Sequence, residues 1–520
     1  MKIFKYLFVF IGITTLVGCG TQKNIVNKPS SPVATPTTSP DSSRYIQLPS
    51  KDFRAVWIAT IGGIDWPRER FDEESQKQWY EQMLDTLQKL NINTVFFQVR
   101  PKADAFYDSP YEPWSEYITG YRGKAPSYDV LNWLITETHK RGMAFHAWMN
   151  PYRIGTKKTA RGKFDPLDPK IPKELVKDYR LVRIYNPALP ETRQRLCRIV
   201  ADMLRKYDVD GIHFDDYFYP DLQKGEKMHD DAEYRKYGKG FSSIEAFRRA
   251  MVDSLIANVH DTIKAVRPSV VFSISPQGNY ENNYRTMYAD IALWSAKGWC
   301  DVIIPQLYWS TERWFRPRLE WFAENAAKKS HLMIGYGLYK FDKNAKSSYF
   351  RTSDDLALQM KEAYDNTNVT GSALYSAIWL MKNPVGINQA ISEKFRTPAL
   401  PPYLGQLPEN KPERPAEAQS NGMKLSWDEV EGCYYAVYKE IDGETAQLVS
   451  IAESNNFTVK EDGKYFVTAV RKGNNAESIP SNIITVNNEK DFADSSHGSD
   501  SGNSKLLANS ASKAHRWSRR

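Results

Sequence analysis

Two aspartates stand side by side at Asp215 and Asp216, within Gly211-Ile212-His213-Phe214-Asp215-Asp216-Tyr217-Phe218-Tyr219-Pro220. An apolar run precedes them and an aromatic one follows, so the pair falls where a buried strand ends and a loop begins. Adjacent carboxylates are expensive to bury as two charges unless they are paired or share a proton. A carboxyl that keeps its proton near neutral pH is what general acid catalysis needs. Side chains alternate along a strand. With Ile212 and Phe214 packed under helices, His213, Asp215 and Tyr217 face the other way. The structural alternative, an acid capping a loop, fits one Asp better than two.

Neighbouring segments carry similar residues. One apolar run leads to Asp65-Trp66-Pro67, and another ends in Gln98-Val99-Arg100, followed by Asp104, Glu112, Trp114 and Glu116. A third puts His146, Trp148 and Asn150 on one alternating face, then Tyr152 and Arg153. Further on come Gln277, Asn279, Gln306, Tyr308 and Trp309. Any one of these aromatics alone reads as core. Together, carboxylates, amides and ring planes suit a sugar, whose hydroxyls take hydrogen bonds and whose C–H faces stack on rings. The expected catalytic residues are Asp215, Asp216 and Asp104. The expected sugar-binding residues are Asp65, Trp66, Gln98, Arg100, Trp114, His146, Asn150, Tyr152, Arg153, Tyr217, Gln277, Gln306, Tyr308 and Trp309.

These residues sit on a repeating framework. Short apolar or β-branched runs begin near residues 53, 93, 143, 209, 270, 302, 332 and 371, and segments with helical spacing separate several of them. Trp79, Met83, Leu87 and Leu90 form one stripe; Phe247, Met251, Leu255, Val259 and Ile263 form another at i, i+4 spacing. Eight β–α units predict an α/β fold, a (β/α)8 barrel spanning 49–399. No GxGxxG follows the first run, which argues against a dinucleotide-binding sheet. Stretches leaving the second, third and fourth strands are long, so the active face is expected over them.

Residues 411–487 change character. Leu425-Ser426-Trp427, Tyr434–Tyr438 and Lys464–Val470 predict a small all-β sandwich of the immunoglobulin or fibronectin type III kind, with Trp427 in its core. Residues 400–410 read as a Pro-rich linker and 488–520 as a disordered basic tail.

The amino terminus reads as an address. Residues 1–19 carry two lysines, an apolar run of about a dozen residues, too short to span a bilayer, and Leu16-Val17-Gly18-Cys19, which resembles a bacterial lipobox. Cys19 is the expected lipidation site, and 20–48 a flexible tether. The protein is expected to be exported and lipid-anchored in the bacterial cell envelope, at the outer membrane on its periplasmic or surface face. Cys197, Cys300 and Cys433 lack CxxC spacing, so neither a disulfide framework nor a zinc ribbon is predicted. Of the net charge of +8, Lys2, Lys5 and five residues beyond 504 supply seven units. The remainder is no footprint for a polyanion, so no nucleic-acid partner is expected.

Residues 53–384 resemble the bacterial glycosyl hydrolase-like family 10. The resemblance rests on RAVWIATIGGIDWP, NTVFFQVRPKADAFYDSPYEPWSEYITG, HKRGMAFHAWMNPYR, VDGIHFDDYFYP, FSISPQGN and VIIPQLYW, in that order. It implies a TIM barrel hydrolysing bacterial polysaccharide, with some members similar to enzymes acting on peptidoglycan glycan strands. No cofactor or metal is expected.

Glycosidases usually flank the scissile bond with two carboxyl groups, about 5–5.5 Å apart for retention and about 6.5–9.5 Å for inversion. Either Asp215 pairs with Asp104 or Asp65 from another loop, or the chain turns after Asp215 and both neighbours enter the cleft. The second arrangement resembles substrate-assisted hexosaminidases, with Asp216 as general acid, its pKa raised by Asp215, and Asp215 orienting an N-acetyl group. Two rivals use the same residues: a metal-dependent deacetylase or phosphodiesterase built on His146, His213 and Asp215, and a glycan-binding lipoprotein without catalysis.

Overall fold

In Phe53–Ile58 (β1) alternate side chains serve two cores. Phe53, Ala55 and Trp57 point into a central lumen, whereas Val56 and Ile58 join the layer under the helices. Strands buried on both faces read as continuous apolar runs for this reason. The computed structural model describes residues 46–487 apart from 158 and 405–408. The expected lipobox, Cys19, most of the tether and the basic tail lie outside the described residues.

The alternation repeats in Thr94–Arg100 (β2) and Ala144–Met149 (β3). Three short strands follow: Arg153–Thr156 (β4), Val176–Asp178 (β5) and Val182–Tyr185 (β6). Then come Gly211–Phe214 (β7), Val271–Ile274 (β8), Val302–Ile303 (β9), His331–Gly337 (β10) and Val369–Tyr375 (β11). β1, β2, β3, β7, β8, β9, β10 and β11 close a parallel barrel in that order, so all eight expected runs are barrel strands. The register sets His146 against Gly211 and Trp148 against His213. A Cβ on Gly211 would lie 2.3 Å from the His146 ring, so the lumen has room for only one side chain there.

The surrounding helices bury the predicted stripes. The helix Glu73–Lys89 starts at Asp72, whose side chain accepts from Ser75 N, and buries Met83 and Leu87. The helix Ile244–Val266 is capped by Ser243 and buries Phe247, Met251, Leu255, Val259 and Ile263. The carboxyl-end loop after β3 holds a small antiparallel sheet in the order β4–β6–β5, which stands beside the mouth.

Beyond the barrel, Gln419–Asn421 (β12), Lys424–Ser426 (β13), Cys433–Glu440 (β14), Ala446–Ala452 (β15), Asn456–Thr458 (β16), Gly463–Arg471 (β17) and Ile484–Val486 (β18) form two antiparallel sheets. Their orders are β12–β13–β16 and β15–β14–β17–β18. Trp427 is buried, edge-on to Tyr435 at 5.3 Å.

This β domain covers the amino-terminal end of the barrel. Leu404, from the stretch expected as a linker, enters the lumen cluster beside Phe53, Val271, Val302 and Met333. Gly142 has φ +68°, and a Cβ there would meet the Ile451 side chain at 2.7 Å, so glycine permits both the turn and the close approach. His139 and Asp210 pair at 2.7 Å on this floor, near Lys472 and Glu453, themselves 3.0 Å apart. Ile46 and Leu48 pack against the same domain, and Gln47 bridges to Thr445.

Candidate active site

The carboxyl ends of the barrel strands open into a cleft of about 790 Å³, within the roughly 300–1,000 Å³ of small-molecule sites. Trp57 and Trp148, inward residues of β1 and β3, line its base. The Trp57 indole N–H donates to His213 Nε2 at 3.0 Å, and His213 Nδ1 meets Ser273 Oγ at 2.8 Å. An indole nitrogen only donates, so His213 Nε2 accepts. Burial also pushes the His213 pKa well down, which leaves a neutral imidazole.

β7 ends at Phe214, and the chain turns so that Asp215 and Asp216 both line the cleft. Asp215 is pinned. Trp148 Nε1–H donates to its Oδ2 at 3.1 Å, and Asn150 Nδ2 reaches Oδ1 at 2.9 Å and Oδ2 at 3.1 Å. Asn150 is itself fixed, because its Oδ1 accepts from Arg153 N at 2.7 Å. Burial raises the Asp215 pKa to about 6; the Arg153 charge opposes this and the Asp216 charge adds to it. Asp216 is also raised, again by burial, against hydrogen bonds from Gln306 and Gln277. Desolvation is therefore the leading cause for both acids, where the sequence suggested the neighbour's charge.

Aromatic rings make one wall. Tyr308 and Tyr375 stack at 5.9 Å with 27° between planes, and Tyr339 stands edge-on to both. Tyr217 is 49% exposed, with the Arg153 guanidinium 3.9 Å from its ring centroid. The small sheet after β3 supplies the facing wall through Thr156, Val182 and Ile184.

Of the expected residues, the structure brings Gln98, Arg153, Asp215, Asp216, Tyr217, Gln277, Gln306 and Tyr308 to the cleft, and Asn150 directly behind Asp215. The others stand elsewhere, and neither Asp104 nor Asp65, the expected partners of Asp215, lines the cleft. Asp104 is fully buried in the loop after β2, accepting from Lys102 N at 3.0 Å with Arg122 3.9 Å away. Asp65 accepts from Ala59 N, Ser376 Oγ and Ile378 N, tying the ends of β1 and β11 together. Arg100 is spent on a bidentate pair with Glu112, at 2.7 and 2.6 Å. Trp66 and Tyr152 fill the helix-facing core, and Trp114 packs against it. His146 lies deeper in the lumen, edge-on to Phe53 and Phe96. Trp309 abuts Gly278 behind the wall: a Cβ on that glycine would lie 2.5 Å from its ring.

Sequence reasoning missed Trp57, Ser275, Tyr339 and Tyr375 as cleft residues. Inward alternation from Phe53 would have found Trp57, and the end of the eighth run would have found Tyr375. Among the described residues no three His, Cys, Asp or Glu side chains come together as a metal-holding group. His213 is engaged by Trp57, Ser273 and Ser275, and His146 by Phe rings, so these two do not converge with Asp215 on one point.

Fold and cleft together define a (β/α)8 barrel protein with an acid-bearing, aromatic-walled cleft at the carboxyl ends of its strands. Sequence comparison gives the narrower assignment: the chain belongs to the Glycosyl hydrolase-like 10 family, whose model matches residues 52–350. It is 36% identical over 424 residues to glycosyl hydrolase YngK of Bacillus subtilis (strain 168), spanning 75% of this chain and 83% of the relative. Glycosyl hydrolase DigH of Escherichia coli (strain K12) is 34% identical over 354 residues, spanning 61% and 80%. Among solved structures, the glycoside hydrolase domain of PgaB (BpsB) from Bordetella bronchiseptica aligns with a TM-score of 0.46 at 13% identity, covering 68% of this chain and 99% of that one. The endo-1,4-beta-mannanase of Rhizomucor miehei aligns at 0.43 and 10% identity, covering 66% and 95%.

Proposed function

We propose that the protein is a glycosidase of the bacterial cell envelope, held there by lipid on Cys19, that cuts glycan strands of N-acetylated sugars, peptidoglycan first. The observation that carries the reading is the different treatment of two adjacent acids. Both Asp215 oxygens already accept hydrogen bonds from N–H donors, which favours its charged form. Asp216 has the larger exposure of the two, 9% against 2%. The pair titrates jointly; both acids are raised and both accept N–H donors, and the more exposed Asp216 is the one placed to pass the shared proton to a substrate.

Asp216 then protonates the leaving glycosidic oxygen as general acid. The substrate's own acetamido carbonyl attacks the anomeric carbon, an exception to the two-carboxylate rule, while Asp215 accepts the acetamido N–H and steadies the developing positive charge. In the second half Asp216, now ionised, takes a proton from the attacking water. Trp57 and Trp148 give the acetyl methyl an apolar seat, and Tyr308 and Tyr375 offer faces to neighbouring rings.

The test is mass spectrometry of products after incubating the full chain with purified peptidoglycan, intact and stripped of stem peptides, with Asp216→Asn in parallel. New reducing-end fragments from the parent alone are the expected result. Equal products from Asp216→Asn would remove the assigned acid. Binding to the polymer without any product would favour a non-catalytic glycan-binding protein.

A further inference from the structure

The cleft is not the only place where aromatic planes gather at the surface. On the outer shoulder of the barrel, between the loops that follow β8 and β9, lies a separate hollow of about 310 Å³. Tyr280 and Trp321 stack beside it with centroids 3.9 Å apart and planes within 3°. Tyr284 lines it and is 42% exposed; the Arg249 guanidinium sits 4.2 Å from its ring centroid. Arg318 lies 5.6 Å from the Tyr280 ring and 5.5 Å from Trp314, itself 45% exposed. The Arg318 Nε is shielded from solvent and has no hydrogen-bond partner.

This shoulder is joined to the cleft by one short helix, Tyr280–Arg285. Asn282 Nδ2 donates to Gln277 Oε1 at 2.6 Å, and Asn283 Nδ2 donates to the Gln277 carbonyl at 2.7 Å. Gln277 lines the cleft and Tyr280 lines the hollow. Resting on the reading of the cleft as a glycan site, we propose that the shoulder is a second sugar-binding site, which holds the same polymer several units from the bond being cut. The hollow offers what a pyranose needs. Tyr284 and the outer faces of the Tyr280–Trp321 stack are there to meet its C–H surfaces, and Glu281, Arg285 and Asp290, which also line the hollow, to reach its hydroxyls. The occupant is a neutral or weakly charged glycan chain rather than a protein, because aromatic rings and side chains of both charges line a hollow of about 310 Å³, the size of a single sugar unit. Two sites on one chain raise the effective concentration of polymer at the cleft without altering its chemistry.

The experiment compares the full chain with Tyr284→Ala and Trp314→Ala, both exposed positions remote from Asp215 and Asp216. Each protein is measured by depletion onto insoluble stem-peptide-free peptidoglycan and onto chitin, and by turnover of a soluble glycan tetrasaccharide. The expected result is about tenfold weaker retention on polymer for Tyr284→Ala, equivalent to the loss of about one stacking contact, with tetrasaccharide turnover unchanged. Retention equal to the parent's on both polymers, or a parent retained by neither, overturns the shoulder site even if turnover persists. Absence of turnover from every substrate together with tyrosine-dependent retention would instead overturn the cleft reading and leave the shoulder standing.

Discussion

The mouth and the floor of the barrel are lined by the same alternating strands, yet they treat charge in opposite ways. At the floor His139 meets Asp210 at 2.7 Å, Asp210 also accepts from Phe145 N, and Leu404 closes the lumen. The Asp210 pKa is held down, with burial the largest influence but outweighed by His139 and the Phe145 bond. At the mouth Asp215 and Asp216 are buried beside one another, and both are pushed up. Stabilising contacts at the floor and reactive groups at the carboxyl ends are the division of labour this fold permits. A buried acid is cheap where a partner neutralises it and useful where none does.

The comparison can be broken most directly by neutralising the mouth. Asp216→Asn is expected to lower turnover about 10²- to 10⁴-fold, the range for losing a general acid, with thermal stability unchanged or higher. Loss of fold in circular dichroism would show that the mouth, too, is built for stability. Leu404→Ala, at the floor, is expected to cost about 2–5 kcal/mol of stability in denaturant unfolding, with turnover per folded molecule retained.

Titration sharpens the contrast. The Asp215 pKa is raised from 3.8 to about 6 on folding, so its contribution is fully present below 3.8 and lost as pH rises through 6. His139 is raised by Asp210, against the pull of burial, so its contribution is present below 6.5 and lost above its own raised pKa. Asp210 is lowered, so its contribution is present above 3.8 and lost as pH falls. The floor is thus firmest between 3.8 and 6.5, while the mouth weakens across much of that interval. Melting temperatures from pH 4 to 7 should fall less steeply in Asp215→Asn than in the parent. Turnover of the parent should decline as pH rises through the raised range of the acid pair and the shared proton is lost. The smallest effect is expected from Trp148→Phe, which removes one donor to Asp215 and should move that decline upward by a fraction of a pH unit, read from the pH–rate profile.

The architecture was legible because period-2 alternation reports which face of a strand a residue occupies. It separated Ile212 and Phe214 from His213 and Asp215 correctly. It does not report height in the lumen, so His146 was expected at a mouth that it lies beneath. Nor does it distinguish a charged side chain facing a ligand from one satisfied internally: Arg100 and Glu112 answer each other, and Asp65 serves three donors. The sheet of β4, β5 and β6 escaped notice because its strands are three or four residues long and sit among lysines, arginines and prolines. Tyr339 reaches the cleft from the single 3-10 turn Leu338–Lys340, too short to show a periodicity.

The docking of Ile46 and Leu48 against the β domain has a mechanical meaning. The described chain begins beside the floor and reaches the barrel at Phe53, on the side away from the cleft. The β domain and barrel base hold residues 46–48, and the two acids lie at the opposite end of the barrel. A protein fixed at its beginning would therefore work facing outward, like a hand held by the wrist.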